Sequence, residues 1–373
     1  MVNIKSIEIN QFRGIKKLNI SNFSDINLIV GDNNSGKTTF LEAIQLLFAR
    51  DLNSIKSIIN QRTTLNLHNS HFYTSFIKMF NIEQNKEQLD LDIYATGDSG
   101  SIELEIRGYE KIISGEAALR NSNMSLREKN YYKGPNAFIP DTAKMFTGNI
   151  ISQIGEQHPI EKGICFTSLD NLTSSLAFEK KIQYIPSFGH LRFDLLQNIV
   201  DNPEYKKLAI SILKQFDENI EDICYTKADD GTFLESIVTK NGTIMPFSVY
   251  GDGIKKILYI LNKLLASSDS ILLIDEIETG LHKKYYEMLF PVIFALANKL
   301  NVQLFIATHN IEVIDAILKY GNYENNANLY DPIKVITLKK VNYDNNESNI
   351  IARNVSGKYV YDNRKVFEFE VRL

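Results

Sequence analysis

The sequence predicts an α/β fold with a mixed sheet, antiparallel hairpins and an inserted, partly helical arm. Three observations carry that expectation. Apolar, strand-like runs are interleaved with stretches of helical periodicity. A glycine-rich loop joins one of those strands to a helix. Further segments alternate apolar and polar residues on either side of turn residues, as hairpins do.

The chain opens with three strands, Ile4–Ile9, Ile15–Ile20 and Ile26–Val30, the first two parted by Phe12-Arg13-Gly14. Gly31-Asp32-Asn33-Asn34-Ser35-Gly36-Lys37-Thr38 follows, and an apolar-faced helix then runs to Ala49 or Arg50. Leu89–Tyr94 and Ser101–Ile106 alternate strictly around Gly97-Asp98-Ser99-Gly100, a hairpin signal. Residues 111–180 are rich in Asn, Ser, Lys and Gly and promise few clear elements. Lys181–Pro186 returns to strand, and one helix of about 25 residues is expected near Leu191–Phe216. A hairpin is expected around Ala228–Gly231 and a turn at Asn241-Gly242. Then come a helix (Ile254–Ala266), a strand (Ser270–Ile274), a helix over 281–300, a strand (Val302–Ala307), a helix (Asn310–Tyr320) and several C-terminal strands. The expected organisation is a head formed by residues 1–50 and 181–373, with 51–180 as a hairpin and variable insertion within it.

Apolar residues make up 44% of the 373, enough to bury a core, which excludes a disordered chain. Lysine and arginine number 41 against 45 acids, a net charge of −4, so the chain does not coat nucleic acid by charge alone. A local basic groove is compatible with that balance. Cys165 and Cys224 lie far apart in apolar contexts and read as buried thiols, neither a disulfide framework nor a zinc site. His68, His71, His158, His190 and His282 have no metal-ligand spacing. No leader pattern is visible and no apolar run nears the ~18 residues of a membrane span, so a cytoplasmic location is expected. Sustained heptads and internal repeats are absent, so no long coiled-coil arms are expected.

Residues 31–38 fit G-x-x-x-x-G-K-[ST] between a strand and a helix. Such a loop presents a nest of backbone N–H groups to phosphate oxygens. Gly31, Asn33, Asn34, Ser35, Gly36 and Thr39 are its candidate contacts. Lys37 would reach the β- and γ-phosphates, and the Thr38 hydroxyl would bind Mg²⁺. Ile271–Ile274 is an apolar strand ending in Asp275-Glu276. Asp275 would hold Mg²⁺ beside the loop, and Glu276 would orient or deprotonate the attacking water. Leu304–Thr308 ends in His309, and strand carboxyl ends are where ligands bind in such sheets, so His309 is a candidate for the γ-phosphate or the water. Ser248, Gly251, Asp252 and Gly253 precede a helix and form a second candidate nest. One phosphate group seldom needs two nests from one chain, so a head-to-tail dimer is expected, each subunit covering the other's nucleotide. The alternative is an ordinary helix N-cap.

This ordered series resembles the ATP-binding-cassette type of P-loop ATPase head, in the branch shared with RecF and the coiled-coil DNA-repair ATPases. More narrowly it resembles the OLD family of prokaryotic ATPases, which includes the ATPase halves of the Gabija and PARIS antiviral systems. Ile7-Glu8-Ile9-Asn10-Gln11-Phe12-Arg13-Gly14-Ile15 and Asp275-Glu276-Ile277-Glu278-Thr279-Gly280-Leu281-His282 carry that likeness. It covers about residues 1–50 and 180–373 and implies two heads sandwiching two Mg·ATP. By it, Arg13 is the early arginine near the phosphates, Gly251–Gly253 the signature loop acting in trans, and Glu278–Leu281 the loop that crosses between subunits. Gln183 is the candidate for the metal- and water-sensing glutamine. The signature departs from the usual serine-glycine-glycine: Gly251 takes the serine position unless Ser248 supplies the hydroxyl. Full-length OLD proteins carry a TOPRIM nuclease after the head, and no acidic nuclease cluster follows here. The resemblance therefore implies an ATPase that senses a trigger and controls a separate effector such as a TOPRIM nuclease in antiviral defence. The competing expectation is a RecF-like repair clamp that contacts DNA directly.

Overall fold

The computed structural model describes residues 3–62, 72–81, 88–122, 129, 139–170, 181–191, 194–323, 331–343, 348–367 and 371. The strands among them are β1 (Ile4–Phe12), β2 (Ile15–Ser21), β3 (Ile26–Val30), β4 (Gln88–Gly97), β5 (Gly100–Ser114), β6 (Thr142–Ile154), β7 (Ile160–Thr167) and β8 (Ile182–Ile185). They continue with β9 (Ile220–Lys227), β10 (Phe233–Thr239), β11 (Ile244–Pro246), β12 (Ile271–Ile274), β13 (Gln303–Thr308), β14 (Ile333–Asn342) and β15 (Ser348–Ser356). The helices are α1 (Lys37–Leu46), α2 (Leu52–Arg62), α3 (Phe72–Ile77), α4 (Gly115–Asn121), α5 (Gln197–Val200), α6 (Pro203–Leu213), α7 (Asp252–Leu265), α8 (Tyr286–Lys299), α9 (Ile311–Tyr320) and α10 (Gly357–Phe367).

Every residue of β3, β12 and β13 is buried, as expected of parallel strands covered on both faces. They form the centre of a mixed sheet ordered β15-β14-β3-β13-β12-β8, in which only β15 runs antiparallel to its neighbour. The pleat sends alternate residues to opposite faces. Ile29, Ile271, Leu273, Phe305 and Ala307 join one core cluster with α1 and α2. Leu28, Val30, Leu272, Ile274, Leu304 and Ile306 join another with α6 to α9.

The first cluster is closed by an antiparallel sheet ordered β2-β1-β4-β5-β6-β7. A buried Gln303 stitches the two sheets: its Nε2 donates to Ile4 O (2.9 Å) and Ser24 O (3.0 Å), and its Oε1 accepts from Ile4 N (2.8 Å). A third small sheet, β11-β10-β9, precedes α7.

The described residues within 111–180 hold more structure than their composition promised; 123–128, 130–138 and 171–180 lie outside the described residues. β5 continues to Ser114, α4 follows, and β6 and β7 extend the antiparallel sheet. Their outward residues face solvent, which hides the strand signal, and Gly108 and Gly148 sit where neighbouring backbone leaves no room for a side chain. The helix expected over Leu191–Phe216 is two helices, α5 and α6. Asn202 caps the second, accepting from Glu204 N (2.9 Å) and Tyr205 N (3.3 Å), and Pro203 starts it. The 281–300 helix begins at Tyr286 after a 3-10 turn, and the C-terminal strands are followed by α10, which periodicity did not reveal. Neither cysteine forms a disulfide, but Cys165 is exposed on the solvent face of β7 and Cys224 is half-buried, so the expected burial of both thiols is not met.

Candidate functional site

Three adjacent strands, β3, β13 and β12, deliver their carboxyl ends to one edge of the central sheet. After β3 the chain turns through Gly31, and Asn34 (φ 67°) and Gly36 (φ 99°) take the left-handed region that a phosphate-binding nest requires. Helix α1 starts at Lys37 with Gly36 as its N-cap and no side-chain cap, so its first-turn N–H groups are left to the loop's ligand. Ser35 is buried, and its Oγ has no hydrogen-bond partner among the described residues. Asn33 and Asn34 are exposed, and Thr39 is half-buried in the first turn. Lys37 Nζ donates to Gly31 O and Asp32 O, each at 2.8 Å. Burial lowers the Lys37 pKa, while Asp275, Glu276, Glu278 and Asp32 pull it back. An orphaned buried hydroxyl, a lysine resting on its own loop's carbonyls and an uncapped helix start fit a triphosphate.

Thr38 Oγ1 donates to Asp275 Oδ2 at 2.9 Å, and Tyr184 OH reaches the same oxygen at 3.2 Å. Asp275 is buried at the end of β12. A hydroxyl and a carboxylate are the hard oxygen donors that Mg²⁺ prefers, so this pair fits the ion's protein ligands. Tyr184 was not singled out from the sequence. It lies on β8 with Ile182 toward the α1 side of the sheet, whereas Gln183, the candidate for the metal- and water-sensing glutamine, belongs to the opposite face of the pleat. Strand parity at β8 was the available signal.

Glu276 follows with φ 44°, an uncommon conformation for a residue with a side chain, and Thr279 Oγ1 donates to its Oε2 at 3.4 Å. Glu278 Oε1 accepts from Thr308 Oγ1 (2.8 Å) and from His309 N (3.2 Å), and lies 3.2 Å from His309 Nδ1. The loop after β12 thus fixes the end of β13 and the imidazole carried there. Arg13 (φ 51°) does not extend freely from the β1–β2 turn: its Nε lies 2.9 Å from Oε2 of the buried Glu42, one helical turn beyond Thr38 on α1. Ser248 is exposed in a 3-10 turn, and Gly251 is the N-cap of α7 with open space around it. A Cβ on Gly253 would come within 3.1 Å of Gly280 O, so the start of α7 abuts the loop after β12. Lys256, fully buried on α7, donates to Ser187 O (3.0 Å) and Glu276 O (3.4 Å). Burial pushes its pKa down to about 8 against the attraction of Glu278, Asp275 and Glu276. A lysine on an otherwise apolar helix face gives little sequence signal, and periodicity passed over it.

A phosphate loop on β3, acids at the end of β12, a histidine at the end of β13 and an antiparallel sheet over α1 define a P-loop ATPase. The family matches agree with an ATPase. Residues 3–188 match the family described as "AAA ATPase domain", and residues 162–315 match "AAA domain, putative AbiEii toxin, Type IV TA system". The chain is similar to an ATP/GTP phosphatase of Helicobacter pylori, with 25% identity over 88% of this chain and 91% of the relative. An uncharacterized protein of Methanocaldococcus jannaschii shares 44% identity over 46 residues, 12% of this chain and 21% of that one. Among solved structures, the SMC head domain from Thermotoga maritima aligns at TM-score 0.47 and 12% identity, over 95% of this chain and 100% of that one. An Smc head with an extended coiled coil, bound to a ScpA domain from Pyrococcus furiosus, aligns at 0.48 and 11%, over 99% and 100%. Site and family matches together identify an ATPase. No helix among the described residues is long and apolar enough to cross a membrane.

Proposed function

We propose that this ATPase binds Mg·ATP between two copies of the chain and uses its nucleotide state to control a separate effector. The observation that carries the proposal is the Thr38–Asp275 pair beside Lys37, with Glu276 next in the chain and His309 held by Glu278. Lys37 exchanges the Gly31 and Asp32 carbonyls for β- and γ-phosphate oxygens. Thr38 and Asp275 would hold Mg²⁺, which when bound neutralises charge on the β- and γ-phosphates. Tyr184 keeps Asp275 turned toward Thr38. Glu276 takes a proton from the water that attacks the γ-phosphorus, and ADP leaves. Glu278 orients the His309 ring for a γ-phosphate contact. Arg13, braced by Glu42, serves the phosphates from the α1 side, and Ser248, Gly251, Asp252 and Gly253 cover the nucleotide of the opposite subunit.

In this reading residues 1–50 and 181–373 are the head and 51–180 its insertion. Control of an effector in prokaryotic antiviral defence is supported by the OLD-like motifs and by the toxin–antitoxin description of the family matched over 162–315. Lys37→Ala is expected to abolish ATP binding. Glu276→Gln is expected to bind ATP, stall hydrolysis and accumulate as a dimer. Fluorescent-nucleotide binding, phosphate release and light scattering on a sizing column read these outcomes. Two variants that hydrolyse ATP like the wild type would remove the site assignment.

A further inference from the structure

Lys256 is 0% exposed, on a helix whose neighbouring residues Ile254, Ile257, Leu258, Ile260 and Leu261 are buried and apolar. Burying an ammonium is costly, and an apolar residue of similar length would fill the space without that cost. Core packing therefore gives no reason for a lysine here. Its hydrogen bonds go to two main-chain carbonyls, those of Ser187 and Glu276. The Glu276 carbonyl also accepts from Thr279 N at 3.0 Å, closing the turn that carries Glu276 at φ 44°. The same loop meets α7 again at the helix start, where Gly280 lies against Asp252 and Gly253. Helix and loop are thus joined at two points about one helical turn apart.

We propose that Lys256 is a positioning residue for hydrolysis: its ammonium grips the Glu276 main-chain carbonyl, so that α7 and the turn that aims Glu276 behave as one body. A contact made at the Gly251–Gly253 end of α7 is then transmitted to the residue that handles the attacking water. The inference rests on Glu276 being that residue, as proposed above.

The test is Lys256→Met, alone and combined with Glu276→Gln, followed by single-turnover hydrolysis of γ-labelled ATP and by binding of a fluorescent ATP analogue in Mg²⁺. Lys256→Met is expected to fold, with a thermal midpoint below that of the wild type, since two carbonyls lose a donor and three nearby carboxylates lose a buried cation. It should bind the analogue with wild-type affinity and hydrolyse about tenfold to a hundredfold more slowly. In the Glu276→Gln background the same substitution should change the residual rate by less than about twofold, since it acts through a side chain already disabled. Lys256→Gln, too short to span to Glu276, should show the same loss and keeps the test open if the methionine variant does not fold. Wild-type turnover by either variant overturns the inference, as does an equal loss in both backgrounds. Failure of the underlying assignment reads differently: Glu276→Gln alone then hydrolyses ATP like the wild type.

Discussion

His190 is 3% exposed, with its ring close to Gly280 at the junction of α7 and the loop after β12. Burial, helped by the Lys256 and Lys255 charges, pushes its pKa down from 6.5 to about 4, although Asp252 pulls the other way. The folded chain therefore keeps the ring neutral while the unfolded chain takes up a proton. Between pH 6.5 and about 4 the unfolded state binds more protons, so this residue's contribution to stability is lost as pH falls through that window. His190→Gln, neutral throughout, is expected to show a flatter dependence of thermal midpoint on pH across the same range. Identical slopes for variant and wild type would mean that His190 is not held neutral. At the same scale, Asp275 receives Thr38 and Tyr184 on one oxygen, and Glu278 receives Thr308 and His309 on one oxygen.

Among the elements, the turn from β3 into α1 depends on a strand distant in sequence. Ile350 of β15 packs over Gly36 and within 3.5 Å of where a Cβ on Gly14 would lie, so the loop leans on the antiparallel edge of the central sheet. Gly36 holds φ 99°, a conformation that any side chain strains, and an added Cβ would also strike the Ile350 side chain. Gly36→Ala is therefore expected to lower stability by about 1–3 kcal/mol in denaturant unfolding and to lose ATP binding. An alanine variant that binds ATP with wild-type affinity would show that the nest does not depend on this conformation.

At the scale of the molecule, the two six-stranded sheets share the first core cluster across a seam, and the nucleotide loop lies on the central sheet. Gln303 bridges the seam with three hydrogen bonds to Ile4 and Ser24. Gln303→Leu keeps the volume but leaves buried main-chain groups of β1 without partners, at a cost of roughly 1–3 kcal/mol for each one orphaned. Equilibrium unfolding in urea should show that loss, while ATP affinity, set by the loop after β3, stays near wild type. Unchanged stability would mean that the antiparallel sheet is held without this clamp.

The buried strands and the phosphate loop were legible because their signals are local. Parallel strands covered on both faces read as unbroken apolar runs, and the polar residues that end them, Asp275-Glu276 and Thr308-His309, stand out against that background. The break at Asn202-Pro203 was equally local and marks the start of α6, but the longer apolar periodicity masked it. By itself, then, the sequence determined an α/β phosphate-loop head and the order of its motifs. β6 and β7 were different, because buried Ser152 and Thr167 and exposed Ile160 break the alternation that marks β4 and β5, and their place is set by pairing of β6 with β5 and of β7 with β6. Only the tertiary structure decided that Tyr184 stands beside Asp275, that Glu278 holds His309, that Arg13 is braced by Glu42 and that Lys256 reaches Glu276. Each is a contact between different elements, 20 to 91 residues apart, fixed by sheet order and helix packing rather than by any residue's own neighbours.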